Sequence, residues 1–276
     1  MTLTHLSLCS GIGGLDLAAE WAEFKTVGQC EIDEYASRVL SKNFKGVHNF
    51  GDIRTITIDN ARSHGIEPGT LTVISAGFPC QPYSIAGKGL GASDSRDLAL
   101  ECVRVVGELK PRWFIGENVF GLLTRSNGRY MRTILAALTS LGYRVTWGVW
   151  GACDVGAPHQ RDRIFIVGHS KISYTAIQRQ CESPLQSREP KKNLRQKSKR
   201  RVQTCGRESS GVCGGQSHNP KNVHNSSGWQ TEPDVGRVAN GIPARVDRLR
   251  VLGNAVVPQQ AYPLYKAIKN LPPNGR

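Results

Sequence analysis

The chain has 276 residues, of which 39% are apolar, and a formal net charge of +14. That length suits one large domain plus a smaller one, and no apolar stretch approaches the roughly 20 residues a membrane span needs. The first residues lack the basic region and long apolar core of a secretion signal. The eight cysteines lie far apart, five of them within the first 153 residues, so a reducing cytoplasm is expected rather than a disulfide scaffold.

Residues 3–8 form a short apolar run, followed by Cys9, Ser10, Gly11, Ile12, Gly13 and Gly14, then a helical stretch over 15–22. Strand, glycine loop and helix open a Rossmann-like unit, in which the glycines let the backbone turn sharply and approach a ligand. Residues 24–30 read as a second strand, ending at Glu31, Ile32 and Asp33. Glu31 stands 20 residues after Gly11, where an acid accepts hydrogen bonds from ribose hydroxyls; it is equally placed to cap the next helix. Glycine loop and acid together favour a nucleoside-containing cofactor. Residues 35–44 read as a helix and 47–48 as a short third strand, with Asp52 and Ile53 beyond it. Asp52 is either an acceptor for an adenine amino group, with Ile53 packed on the ring, or a turn aspartate.

Residues 71–75 predict a buried strand, and the loop beyond it holds Cys80 between Pro79 and Pro82. The prolines stiffen that loop and hold the thiol past the strand's carboxyl end, where open α/β sheets bind ligands. A thiol there is a nucleophile if nearby positive charge lowers its pKa; otherwise it is a structural cysteine. Glycines at 87, 89 and 91 then mark either a closing lid or a loop with no role. A helix is expected over 96–109 and a strand over 113–115 whose end carries Glu117, a candidate general acid beside the thiol. A helix over 130–141 and an alternating strand over 143–150 follow. Arg161 and Arg163 alternate on one face of an extended segment leading into the apolar run 164–168, placed to bind a carboxylate, phosphate or base oxygen.

Charge divides the chain. Residues 1–168 carry 17 Lys and Arg against 16 Asp and Glu, and the remainder carry 19 against 6. A near-neutral body joined to a strongly basic part suggests a catalytic body with a polyanion-binding attachment.

Together these residues resemble the cytosine-5 DNA methyltransferase family over 1–168 and 248–270, with the blocks in the family's order. The resemblance rests on Ser10-Gly11-Ile12-Gly13-Gly14, Glu31, Asp52-Ile53, Pro79-Cys80-Gln81, Glu117-Asn118-Val119, Arg161 with Arg163, and Gly253-Asn254-Ala255-Val256. It implies an α/β, Rossmann-like fold dependent on S-adenosylmethionine, with a mostly parallel sheet and a small inserted basic target-recognition region. It also implies duplex DNA as substrate. Ser10 to Gly14, Glu31, Ile32, Asp52, Ile53, Pro79, Asn254, Ala255 and Val256 would bind the cofactor. Cys80 would add to cytosine carbon 6, Glu117 would protonate N3, and Arg163 would hold the base O2 with Arg161 in support. The cytosine must leave the helix for this chemistry; Gln81, Ser84 and Lys88 are expected on the DNA. Cys9 stands where the family has an aromatic residue and His159 where it has glutamine, and no Pro-Arg-Glu block precedes Gly253.

The expected division is 1–169 catalytic, 170–236 target recognition and 237–276 returning to the catalytic body, closed by a helix over 259–270. Residues 170–221 hold 12 Lys and Arg against 3 acids. Lys191, Lys192, Arg195, Lys197, Lys199, Arg200 and Arg201 are candidate phosphate contacts, and low apolar content predicts disorder away from DNA. Cys181, Cys205, Cys213, His218 and His224 match no zinc-finger spacing, so no metal is expected. The resemblance further implies monomeric action, a cytoplasmic place, no membrane partner, and room for a separately acting restriction endonuclease. Two alternatives stay open: an RNA cytosine-5 methyltransferase and a non-catalytic DNA-binding protein of the same fold.

Overall fold

The computed structural model describes residues 2–79, 98–170 and 244–271. Six strands form one sheet: β1 (Thr4–Leu8), β2 (Lys25–Cys30), β3 (Val73–Ala76), β4 (Trp113–Val119), β5 (Tyr143–Trp150) and β6 (Arg163–Ser170), in the order β2-β1-β3-β4-β6-β5. The pairs β1–β2, β1–β3 and β3–β4 are parallel, and β6 runs antiparallel to both its neighbours. The strand order turns outward from β1 in both directions, so a crevice opens at the carboxyl ends of β1 and β3, where ligands bind in such sheets.

The central strands are apolar on both sides because helices cover both faces. One core joins Leu6, Leu8, Ile74, Phe114, Ile164 and Ile166 of the sheet to the helices α3 (Ile58–Ser63), α4 (Leu98–Leu109) and α5 (Arg129–Ser140). The other joins Val73, Ile115 and Phe165 to α1 (Gly14–Trp21) and the last helix, α7 (Pro258–Asn270). Between them in sequence lie α2 (Glu34–Asn43) and α6 (Arg245–Asn254).

The carboxyl-terminal segment is fastened to the body by polar bonds in a buried setting. Trp150 Nε1 donates to the Gln260 carbonyl at 3.0 Å, and Gln260 Nε2 donates to the carbonyls of Trp150 and Arg161 at 3.0 and 3.1 Å. The Tyr265 hydroxyl lies 3.2 Å from Nε2 of His5, a fully buried imidazole that also meets Thr26 and Ser75 hydroxyls. Burial holds His5 neutral, its pKa down at about 3. Gly14 is fixed by close approach: a Cβ there would stand 2.5 Å from the Val256 carbonyl oxygen.

Three sequence expectations are corrected. Residues 47–48 form no strand; a single parallel bridge joins Gln29 to Asn49, and the Asn49 side chain takes over by bonding the Glu31 N–H and carbonyl at 2.9 and 3.0 Å. The strand expected over 113–115 with Glu117 at its end runs on to Val119, so Glu117 lies within β4, because the ladder to β6 continues that far. Arg161 and Arg163 do not share a face of one extended segment. Arg161 has φ of +43°, a left-handed kink just before β6 begins.

Candidate active site

Most of the described candidate residues line a single cavity of about 680 Å³ at the carboxyl ends of β1 to β4. One wall holds Cys9, Gly11, Glu31, Ile32, Asp52 and Ile53; another holds Gly77, Phe78, Pro79, Glu117, Asn118 and Arg163; α6 closes it with Arg250, Gly253 and Asn254. Cys80, Gln81, Ser84, Lys88 and the glycines of 87–91 lie outside the described residues, as does the basic run from Lys191 to Arg201.

Glu117 is the chemical centre of the described part. Its side chain is 9% exposed and pairs with Arg163 Nε at 3.0 Å. Burial pushes its carboxyl up to about 7, against the opposing pull of Arg163 and Arg161. A carboxyl that titrates near neutrality can hold or release a proton at working pH, as a general acid must. Gly77, at the end of β3, lies beside the acid: a Cβ there would stand 3.8 Å from Glu117 Oε2, at ordinary contact distance. Next to it, Asn118 is buried and donates from Nδ2 to the Phe78 carbonyl at 2.9 Å, tying β4 to the segment that leads into Cys80. The sequence showed Asn118 only as the middle of a block; its fixed contact 40 residues away carries no local signal.

On the opposite wall the Glu31 carboxylate accepts from the N–H of Gly11 at 2.7 Å and of Asp33 at 2.8 Å. It therefore ties the glycine loop to the end of β2. The cap of α2 is Asp33, whose carboxylate accepts from the Ala36 N–H at 2.9 Å. Asp52 is held by Arg54, which bonds it through side chain and backbone and lowers its pKa, so it is a charged acceptor. Ile53 is buried with an edge on the cavity, and Ile32 is exposed beside it.

Several residues expected at the cofactor take places in the frame beside the cavity. Ser10 bonds the Ser7 and Cys30 carbonyls, and Gly13, at φ of +86°, packs under Phe44 where a side chain would collide. Gly14 abuts Val256; these residues, with Ile12 and Ala255, support the cavity without lining it. Arg161 donates from Nη2 to the carbonyls of Gly253 and Ala255 at 2.8 and 2.5 Å, so its head group holds the end of α6 rather than standing beside Arg163. Arg250 reaches from α6 to Asp33 at 2.7 Å across the cavity; sequence spacing gives no hint of a pair 217 residues apart. Among the described residues no cluster of His, Cys, Asp and Glu could hold a metal, and no helix is long and apolar enough to cross a membrane.

Sheet order, glycine loop, acid after β2 and buried acid in β4 define a Rossmann-like methyltransferase. A DNA modification methyltransferase encoded within an Escherichia coli prophage superposes with a TM-score of 0.54 at 29% identity, over 62% of this chain and 47% of that one. Spodoptera frugiperda DNMT2 shares the fold, with a TM-score of 0.52 at 21% identity over 68% of this chain and 54% of that one. The sequence pattern of C-5 cytosine-specific DNA methylases matches residues 3–234, and the chain belongs to that family. Type II methyltransferase M.NgoBI of Neisseria gonorrhoeae is 42% identical over 60% of this chain and 50% of its own length. M.HaeII of Haemophilus aegyptius is 41% identical over 59% and 49%. The chain thus spans about half the length of these curated relatives.

Proposed function

We propose that this chain transfers a methyl group from S-adenosylmethionine to carbon 5 of a cytosine flipped out of duplex DNA, through a covalent adduct on Cys80. The observation that carries this is Glu117. A buried acid titrating near neutrality and paired to Arg163 shares one cavity with the glycine loop and the acids after β2.

The cofactor fits the described residues. A cavity of about 680 Å³ lies within the roughly 300–1,000 Å³ of small-molecule sites. It offers Glu31 as acceptor for ribose hydroxyls, Asp52 for an adenine amino group, and Ile32 with Ile53 as apolar faces. Pro79 and Asn254 border the same space. S-adenosylmethionine, when bound, supplies an electrophilic methyl group.

The residues then divide the work. Cys80 adds as thiolate to carbon 6, forming a carbon–sulfur bond and making carbon 5 nucleophilic. Glu117 gives its proton to N3 as negative charge develops there. Arg163 steadies Glu117 and hydrogen-bonds the base O2; Arg161 acts in support by holding the Gly253 to Ala255 backbone. Loss of the carbon-5 proton and expulsion of Cys80 restore the ring. Residues 1–169 and 237–276 form the catalytic body. The basic insert 170–236 supplies target recognition, with Lys191, Lys192, Arg195, Lys197, Lys199, Arg200 and Arg201 on phosphates. Gln81, Ser84 and Lys88 contact the opened DNA. The chain acts as a cytoplasmic monomer, with any cognate endonuclease acting separately.

Bisulfite sequencing of plasmid from cells expressing the wild type or Cys80→Ala tests this. Methylated cytosines in one short motif, absent with the variant, are expected. Methylation that persists in the variant overturns the covalent scheme. Methyl transfer to transfer RNA but not DNA moves the assignment to an RNA enzyme.

A further inference from the structure

Among the described residues, Arg104 of α4 makes four side-chain hydrogen bonds. Its Nε donates to Glu101 at 2.7 Å and its Nη1 to Glu108 at 2.8 Å, both on its own helix. The same guanidinium crosses to the other side of the cavity wall. Nη1 donates to the Ile56 carbonyl at 2.8 Å and Nη2 to the Ile53 carbonyl at 3.0 Å.

These carbonyls bracket the single 3-10 turn Ile53–Thr55, whose N-cap is Asp52. The turn is held locally by Asp52, whose carboxylate accepts from the Arg54 N–H and Nε, each at 3.0 Å, and by the Thr55 hydroxyl, which donates to the Asp52 carbonyl at 2.8 Å. One 3-10 bond from Ile56 N to Ile53 O at 3.2 Å and the bond from Thr55 N to Asp52 O at 3.0 Å close it. Short 3-10 turns have poor hydrogen-bond geometry and need outside support. Arg104 adds a second donor to the Ile53 carbonyl, which already accepts from the Ile56 N–H, and supplies a donor to the Ile56 carbonyl. A guanidinium with five N–H groups in a fixed plane can serve both carbonyls and both carboxylates at once; an ammonium cannot.

Two carboxylates on the same helix need only a nearby charge to be satisfied. They do not explain a head group that spans to carbonyls 48 and 51 residues away. What the two carboxylates do is fix the guanidinium's orientation, so that its outer edge presents two donors to the turn. The turn in turn aims Asp52 and Ile53 at the cavity.

We propose that Arg104 is a positioning residue for the adenine subsite, setting Asp52 and Ile53 by gripping the backbone carbonyls that follow them. This rests on the reading of the cavity as an S-adenosylmethionine site. Among the described residues Arg104 bonds Glu101, Glu108, Ile53 and Ile56, away from Glu117 and Arg163, so its loss acts on cofactor selection and not on the chemical step.

The experiment compares S-adenosylmethionine with its hypoxanthine counterpart, which lacks the amino group Asp52 would accept. Steady-state kinetics on duplex DNA are measured for the wild type, Arg104→Lys and the double variant Glu101→Gln/Glu108→Gln. A site that bonds a substrate N–H rejects the analogue lacking it by a factor on the order of 100 or more. In Arg104→Lys, KM for S-adenosylmethionine is expected to rise about tenfold with kcat within twofold, and the adenine preference to fall about tenfold. In the double variant the Gln amide oxygens still accept from the guanidinium and keep it oriented toward both carbonyls, so most of the preference is expected to remain, which also guards against a lysine variant that folds poorly. Full preference retained in Arg104→Lys with unchanged KM overturns the proposal alone. So does preference lost in the double variant but kept in Arg104→Lys. A wild type that transfers methyl groups but shows no adenine preference overturns the adenine subsite and this proposal with it. A wild type that neither binds nor uses S-adenosylmethionine overturns the cofactor reading itself.

Discussion

Glu117→Gln separates the chemistry of this site from its architecture. The amide keeps the shape and still offers an N–H to cytosine N3, but it has no proton to give. The wild-type acid, at about 7, is close to half protonated at neutral pH, so the lost function is a populated one. General-acid contributions run to about 100- to 10,000-fold, which corresponds to roughly 3–5 kcal/mol of barrier. The change also strips Arg163 of its carboxylate partner at 3.0 Å, in a place where that guanidinium is only 14% exposed. Some loss of stability therefore accompanies the loss of rate, and the assay has to divide them. Single-turnover methyl transfer from labelled S-adenosylmethionine, at saturating DNA, gives the chemical step; gel-shift titration gives DNA affinity. The rate is expected to fall at least 100-fold while DNA affinity changes less than threefold. Because the protonated form is the donor, the wild-type rate should also decline as pH rises through about 7, and the variant should lack that limb. A variant with near-normal rate, or with rate and affinity lost by the same factor, would show that Glu117 is structural.

Arg161→Ala frees the Gly253 and Ala255 carbonyls; KM for S-adenosylmethionine should rise about tenfold, the cost of one charged hydrogen bond or slightly more, and a change confined to the chemical step would argue for direct contact with the base. Asp16 is fully buried, and burial raises its carboxyl to about 6, partly offset by hydrogen bonds from Gln29 at 3.0 Å and Ser7 at 2.9 Å. The folded value lies above the unfolded one. Its contribution is therefore present below about pH 4 and lost as pH rises through about 6, at about 3 kcal/mol. Asp16→Asn should flatten the melting temperature across that window, and parallel profiles would refute the assignment. Gly14→Ala puts a methyl group 2.5 Å from the Val256 carbonyl oxygen; calorimetry should show about 2 kcal/mol of destabilisation, or roughly 4–8 °C, and a neutral substitution would mean that the 256 backbone moves aside freely.

The parts of this molecule that were legible in the sequence are those where local pattern and function coincide. Glycines at 11, 13 and 14 between an apolar run and a helix, or an acid 20 residues on, can be read because the βα unit is local. The same reading overstated the third strand, where one backbone bridge and the Asn49 side chain do what a ladder was expected to do. It also misread Arg161. Alternation predicts a shared face only while φ stays extended, and a single left-handed residue sends Arg161 to the 253–255 backbone and Arg163 to Glu117. What no spacing could show are the bonds that cross the chain: Arg104 to 53 and 56, Asn118 to 78, Arg250 to Asp33.

The ladder from β4 to β6 is what places the acid in a strand. A catalytic carboxyl must hold its position while a cytosine enters and bonds rearrange around it, and groups on rigid elements do this better than groups on loops. Glu117 is laddered to Phe165, flanked by Asn118 with its bond to Phe78, and backed by Arg163 at the head of β6. The proposed proton donor is thus preorganised by three segments of chain. Preorganised groups in a water-poor site need little reorganisation when charge develops. The same frame fixes Phe78 through the bond from Asn118 to its carbonyl. In the proposed mechanism this frame supplies the electrostatics that Glu117 needs.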